Sequence, residues 1–464
     1  MDFRPDAPKG AVRVVFEEGS ATRFTGTKLY LGYGKRKPLT RRVFVLQMRK
    51  VVALAKQHKI KTIALRYADI KALAPAGMQE HDIGTVAGSA FVMAGYEHRS
   101  YKSKPKEGWA DVEVVAITAT PQAGKEGFWR GHIIATEVNA CRELANTPGG
   151  DMTPGALAAA ARAAAKGTKA TVKVLGRKEM KKLGMGAVLG MARGSAEEPK
   201  FIIVEYWGAS PSTRSAHSGR QERPIVLVGK GVTFDMGGLN IKTGEHMYEM
   251  HMDMSGGAAA IHAVVLAAKL KVARNVVALV PSVENALAHH AVRPGDILTS
   301  LSGKTIEILN TDAEGRVIVA DGITYAKRYD PALLVDIGTF TGGAVAGNYA
   351  APFATNEKRW GIAEYMALAE ESGDYIWPVP LWEEFNFITR STFGDVPNIP
   401  TVKDRGLYTV SVGKFLEVFA KELSCPWLHL DIGARMTATT DESLAKGAAG
   451  SPVRLLLALI EQCR

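Results

Sequence analysis

Three stretches of this chain are unbroken apolar runs rich in β-branched residues: IVLVG (225–229), NVVALVPSV (275–283) and PALLVDIGT (331–339). A strand that faces water on one side alternates polar and apolar positions, whereas these do not alternate. They predict strands buried on both faces. Between them lie segments with helical spacing, SGGAAAIHAVVLAAKLK (255–271) and RVIVADGITYAKRY (316–329). In the first of these, Ile261, Val264, Val265 and Ala268 fall on one face. Strand–helix alternation of this kind implies a mostly parallel sheet covered by helices on both sides. FIIVEYWG (201–208), TVKVLG (171–176) and KTIEIL (304–309) read as further strands, and IVLVGKGVTFD (225–235) as one continuous strand. Residues 208–224 are polar and turn-rich and read as a surface excursion.

A chain of 464 residues is too long for one core, so two or three domains are expected. The first third supplies its own strands, AVRVVFEE (11–18), KTIALRY (61–67) and DVEVVAIT (111–118), and a helix at 40–58. EGFWRGHIIATEVNACRELANTP (126–148) reads as one long helix ended by Asn146-Thr147-Pro148. The expected layout is a smaller basic α/β domain at 1–125, a linking helix at 126–147 and a larger α/β domain at 148–464. Charge supports the division. The first 135 residues hold 23 Lys and Arg against 12 Asp and Glu, and the remainder holds 35 of each, so the net +11 lies wholly in the first third. Clusters such as GKRKPLTRR (34–42) offer either a solvated surface or a site for an anionic partner such as nucleic acid.

No run of about 18 apolar residues occurs, so no spanning helix and no membrane partner is expected. MDFRPDAPKG has acids and no apolar core, unlike a secretory signal. The three cysteines, Cys141, Cys425 and Cys463, are odd in number and form no CxxC pair, which fits reduced thiols in a cytoplasmic protein. GMGAVLG (184–190) follows KKL rather than a strand and reads as tight packing, not a dinucleotide loop. The pair His289-His290 reads as solvent-facing loop.

Charge of both signs concentrates where ligands bind in such sheets, beyond the carboxyl ends of strands. GKGVTFDMGG ends one strand and NTDAEGR (310–316) follows KTIEIL, which places both clusters at one sheet edge. Together with MDMSGG they collect Lys230, Asp235, Lys242, Asp253, Asp312, Glu314 and Arg316. Four converging carboxylates must be neutralised, since burial and mutual repulsion oppose their ionisation. The two bases Lys230 and Lys242, with Arg316, could do so as an ion-pair network. Divalent metals could do so as well, and hard oxygen donors without His or Cys suit Mg, Mn or carboxylate-bound Zn.

VGKGVTFDMGG, MDMSGGAA and NTDAEGR resemble the signatures of the leucyl aminopeptidase family of di-metal cytosolic exopeptidases, and NTDAEGR matches at every position. LANTPGGDMTP (144–154) and GAAGSPVRLL (447–456) resemble the two ends of its catalytic domain, so the likeness covers roughly 140–464. It implies a metal-dependent aminopeptidase that releases leucine-like N-terminal residues from peptides, with attack by a hydroxide held between two divalent ions, Zn or Mn, with Mg or Co as alternatives. By the same resemblance Lys230, as a neutral amine, with Asp235, Asp253 and Glu314 holds one ion. Asp235, Asp312 and Glu314 hold the other. Lys242 polarises the scissile carbonyl, and Arg316 holds a bicarbonate that acts as general base. Met250, Thr339, Gly342, Gly433 and Met436 are implied for the first-residue pocket, and a homohexamer for the assembly. Met236, His251 and Phe340 depart from the family pattern. The rival function class is a nucleic-acid-binding protein working through the basic first domain, with peptidase activity secondary.

Overall fold

A computed structural model describes the chain except for Arg36, residues 210–221, 343–346, 357–360 and 402–406, and Arg464. Arg36, from the basic cluster at 34–42, and most of the excursion at 208–224 thus lie outside the described residues. By its contacts the chain divides into two units, Met1–Asn139 with Ala438–Gly447, and Ala140–Thr437 with Ala448–Arg464. The division falls inside the long helix, Gln122–Asn146, rather than at its ends near 125 and 147, and it assigns ten late residues to the first unit.

The first unit is built on a six-stranded sheet in the order Asp2–Arg4, Val114–Thr118, Thr62–Arg66, Val12–Glu17, Lys28–Gly32, Thr22–Phe24. All neighbours run parallel except the last pair. The helix Arg41–Gln57 begins where the Oγ of Thr40 accepts from the Val43 amide, a side-chain cap for an otherwise orphaned donor. Its Phe44, Met48, Val51, Val52 and Ala55 recur at helical spacing and are buried with Val14, Leu29, Leu31, Ile63 and Val115 of the sheet. Many of this unit's bases meet acids at its surface, among them Arg23 with Glu17, Arg66 with Asp69, Lys61 with Glu113, and Arg99 with Glu97 and Asp111. The positive excess is a partly paired surface.

The second unit carries a nine-stranded sheet. Eight strands follow one another in the order Ile376–Pro378, Ala351–Thr355, Trp427–Asp431, Leu333–Gly338, Ile225–Gly229, Asn275–Asn285, Lys200–Trp207, Thr171–Leu175. Strand Gly231–Asp235 pairs with the far half of Asn275–Asn285. The four central strands, from Trp427–Asp431 to Asn275–Asn285, are mutually parallel, and antiparallel strands lie toward both edges. This is the mixed, mostly parallel α/β architecture the apolar runs implied. Ile225–Gly229 is buried at every position, as a strand flanked by two neighbours and covered on two faces must be.

Two readings need correction. IVLVGKGVTFD is two strands, broken at Lys230, and both pair with Asn275–Asn285. The helix Ser255–Lys269 forms as expected and is buried from Ser255 to Ala268, the face of Ile261, Val264, Val265 and Ala268 included, because it packs on the sheet and against the helices Pro154–Ala165 and Val453–Gln462. KTIEIL contributes only Thr305–Glu307, and that strand joins a separate three-stranded sheet with Ile297–Thr299 and Val396–Pro397. The loop after it therefore does not hang from the edge of the main sheet.

The expected tight packing at 184–190 is seen. A Cβ on Gly186 would stand 2.1 Å from the Thr299 carbonyl oxygen, and one on Gly190 would stand 2.5 Å from Leu298. His289 and His290 are exposed, with ring centres 4.0 Å apart. Among the described residues no helix is long and apolar enough to cross a membrane.

Candidate metal centre

The strand break at Lys230 is what brings the site together. Its amide donates to Ile337 on one neighbouring strand, and its carbonyl accepts from Gly257 at the start of the buried helix. A Cβ on Gly229 would meet Gly256 and Gly257 at 2.6 Å, so only glycine permits this approach. The Lys230 side chain, almost fully buried, then reaches three acceptors: Asp253 Oδ1 at 2.8 Å, Glu314 Oε1 at 2.9 Å and the Thr339 carbonyl at 2.7 Å. Five residues on, Asp235 closes the second strand. Its Oδ1 accepts from Asn285 Nδ2 at 2.7 Å and from the Gly237 amide at 2.9 Å. Its Oδ2 faces Lys242 Nζ at 3.0 Å, and Lys242 also reaches Asp312 Oδ1 at 2.5 Å.

The loop Asn310–Ala313 is held by side chains that the sequence reading passed over. Asn398 Oδ1 accepts from the Leu309 and Asn310 amides, and its Nδ2 donates to the Asn310 carbonyl. Thr311 Oγ1 donates to the Gly237 carbonyl at 2.6 Å, and the Asn240 side chain accepts from the Thr311 amide. Asn285 ties both halves together by donating to Asp235 and to the Thr311 carbonyl. Asparagines in and around the charged segments are the one trace these partners leave in a sequence, and asparagine is too common in turns for that trace to single them out.

Asp235, Asp312 and Glu314 each offer an oxygen within 4.8 Å of the others. With Asp253, four carboxylates face two ammonium groups, an excess of two negative charges when all are ionised. Burial drives the Asp253 carboxyl up to about 7 against the pull of Lys230. Burial, reinforced by Glu314 and Asp253, raises Asp235 well above the carboxylate range, and Asp312 is raised by burial and by Glu314. Glu314 goes the other way: burial disfavours its charge, but Lys230 and Lys242 outweigh it. For both lysines burial favours the neutral amine, yet the facing carboxylates win and hold the proton on. A neutral Lys230 amine, as a ligand requires, therefore needs added positive charge beside it.

The donor set fits divalent cations. Asp253 Oδ2 is buried with no hydrogen-bond partner, and Asp312 Oδ1 and Glu314 Oε1 lie at ion-pair distance from lysines without a well-aligned hydrogen bond. Unsatisfied buried carboxylate oxygens are costly unless something positive meets them. Oxygen donors with one amine suit Mn, Mg or Zn.

Residues 139–457 match the model of the cytosol aminopeptidase family, catalytic domain. The chain belongs to the cytosol aminopeptidase family. A probable cytosol aminopeptidase of Nitrosococcus oceani is 43% identical over 367 residues, 78% of this chain and 70% of that one. Another, from Albidiferax ferrireducens, is 38% identical over 87% of this chain and 81% of its own. Among solved structures, the bottromycin maturation enzyme BotP in complex with Mn superposes with a TM-score of 0.82 at 26% identity, covering 97% of this chain and 99% of that one. Membership makes the chain a hydrolase of aminopeptidase type.

The remaining residues implied by the family signature are placed as follows. Arg316 is buried, and its Nη1 donates to Ser411 Oγ at 3.3 Å. Thr339 is tied to the carboxylate cluster, its Oγ1 donating to Asp253 Oδ1 at 2.6 Å. Met250 opens the short helical turn Met250–Met254 that carries Asp253. Gly342 is exposed, while Gly433 and Met436 are half-buried after the strand Trp427–Asp431. Of the departures from the family pattern, Phe340 lies beneath Lys230, whose Nζ is 5.9 Å from the ring centre.

Proposed function

We propose that this protein is a two-metal aminopeptidase that removes single residues, leucine-like ones preferred, from the free N-termini of peptides. The observation that carries the reading is the excess of buried carboxylate over ammonium, with Asp253 Oδ2 left without a partner. Lys230, Asp235, Asp253 and Glu314 would hold one divalent ion, and Asp235, Asp312 and Glu314 the other. Zn or Mn fits best, and the Mn complex of BotP supports the same donor chemistry. When bound, such ions supply a Lewis acid and a nucleophile active at neutral pH.

The chain's own groups then divide the remaining work. Asp235 and Glu314 would serve both ions as ligands. Lys242, whose ammonium lies beside Asp235 and Asp312 at the rim of this centre, would stabilise negative charge on the scissile carbonyl oxygen. Arg316, on the helix that begins at Glu314, would hold a bicarbonate that accepts the proton. The carboxylate-rich centre would also take the substrate's free α-amine, which would limit cleavage to the first residue. Met250, Thr339, Gly342, Gly433 and Met436 would line the pocket for its side chain. The names of the relatives favour a cytoplasmic setting and peptide substrates, and a homohexamer is the assembly we expect.

The test is metal analysis run beside kinetics. Protein stripped by chelation and reloaded with Mn, Zn or Co is assayed on aminoacyl amides and on N-acetylated counterparts. Two equivalents of metal per chain and hydrolysis of the free-amine substrates alone are expected. Full activity after chelation, or equal cleavage of blocked substrates, would overturn the proposal.

A further inference from the structure

The two segments assigned above to the first-residue pocket come from different strands. Thr339 and Gly342 follow Leu333–Gly338, whereas Gly433 and Met436 follow Trp427–Asp431. The strands are parallel neighbours and end together, Gly338 opposite Asp431. Beyond that point regular pairing stops, apart from one bond from the Ile432 amide to the Gly338 carbonyl at 2.8 Å. One carboxylate takes over. Asp431, 1% exposed, accepts five hydrogen bonds. Its Oδ1 receives the amides of Phe340 at 3.1 Å, Thr341 at 3.3 Å and Gly433 at 3.2 Å. Its Oδ2 receives the hydroxyls of Thr341 at 2.6 Å and Thr409 at 3.1 Å. Both loops and the helix Tyr408–Ala420 are thereby fixed to one side chain.

The approach of the loops is close. A Cβ on Gly433 would stand 1.9 Å from the Thr341 carbonyl oxygen, so any side chain there would force the loops apart. A buried carboxylate is tolerated only where donors replace its water, and here three of the five donors are backbone amides of the two pocket segments. None of these five bonds goes to the carboxylate–lysine cluster itself, so metal content is measured beside substrate preference to tell the two roles apart.

We propose that Asp431 is a positioning residue for substrate selection: it sets the separation of the 339–342 and 433–436 segments and thus the size of first residue the enzyme accepts. This rests on the aminopeptidase reading. It also makes Gly433 a determinant of that separation.

The test uses the metal-loaded enzyme on a panel of aminoacyl amides with small, leucine-like and aromatic first residues, with bound metal measured in parallel. In Asp431→Ala three buried amides lose their acceptor. The preference among first residues should flatten by about 10-fold or more, chiefly through KM, with metal content unchanged. Asp431→Asn should rescue most of the preference, since its oxygen can keep the three amides while the two hydroxyls turn to accept from its amide group. Thr409→Val, which leaves the carboxylate in place, should produce a smaller change in the same direction. Gly433→Ala should also shift the preference with metal retained. The proposal is overturned if Asp431→Ala keeps the wild-type preference, or loses metal in step with activity, or if Asp431→Asn is no better than Asp431→Ala. Should Asp431→Ala fail to fold, an unchanged preference in both Thr409→Val and Gly433→Ala overturns it. Failure of the parent reading would look different: the wild type itself would hydrolyse no member of the panel.

Discussion

Lys61 and Glu113 meet at 3.0 Å in the first unit, and Lys230 and Asp253 meet at 2.8 Å in the second. The geometry is nearly the same and the chemistry is not. The first pair is 66% and 58% exposed, so water screens it and either partner can leave. The second is 4% exposed on both sides, in surroundings where charges act on each other strongly and an unpaired one is costly. A basic surface and a reactive centre are made here from the same residue types, and burial decides which is which. The first unit holds more bases than acids, and the surface pairs that do form are scattered and screened by water. The second gathers four carboxylates around two lysines and leaves a negative excess that divalent cations can meet.

Variants can break or sharpen that contrast. The largest effect belongs to Glu314→Ala, which removes a proposed ligand of both ions: bound metal should fall at both sites and peptide hydrolysis should drop below detection. Two retained equivalents with full activity would break the assignment. Next is Asp321, fully buried in the second unit, whose carboxyl accepts the Val188 and Leu301 amides and is pushed by burial to about 7. Its folded value lies above the unfolded value of about 3.9, so the native state binds more protons between those limits. The stabilising contribution is complete below about pH 4 and is lost as pH rises through about 7, up to about 4 kcal/mol. Denaturant titrations across that window should show the slope, and Asp321→Ala should reduce it. Lys242→Ala follows, with about 100-fold lower turnover and both metals retained; loss of both metals would mean that Lys242 is structural. Smallest is Lys61→Ala, where chemical denaturation should show a change under about 0.5 kcal/mol. A larger one would mean that surface pairs in the first unit carry more than their exposure allows.

The main features of both units were legible in the sequence because they rest on local pattern. Unbroken β-branched runs between helical segments are enough to specify a parallel sheet covered on both sides, and the runs at 225–229, 275–283 and 331–339 became three of its central strands. The charged residues of the site were also visible, since NTDAEGR and GKGVTFDMGG concentrate charge where a turn has no use for it. Tertiary structure decided the rest. KTIEIL carries a strand's pattern, but nothing in its spacing tells which sheet it joins, and it joined the small one. The break at Lys230 and the burial of the helix Ser255–Lys269 on all sides depend on neighbours hundreds of atoms away along the chain. So do the partners that aim the site: Asn285 is 50 residues from Asp235, Asn398 is 88 from Asn310, and Asp431 is 91 from Phe340. A sequence shows which groups are chemically able to bind, because that is written in the side chain itself. Which of them meet is fixed only when distant strands end side by side, because hydrogen bonds and burial depend on distance through space and not along the chain.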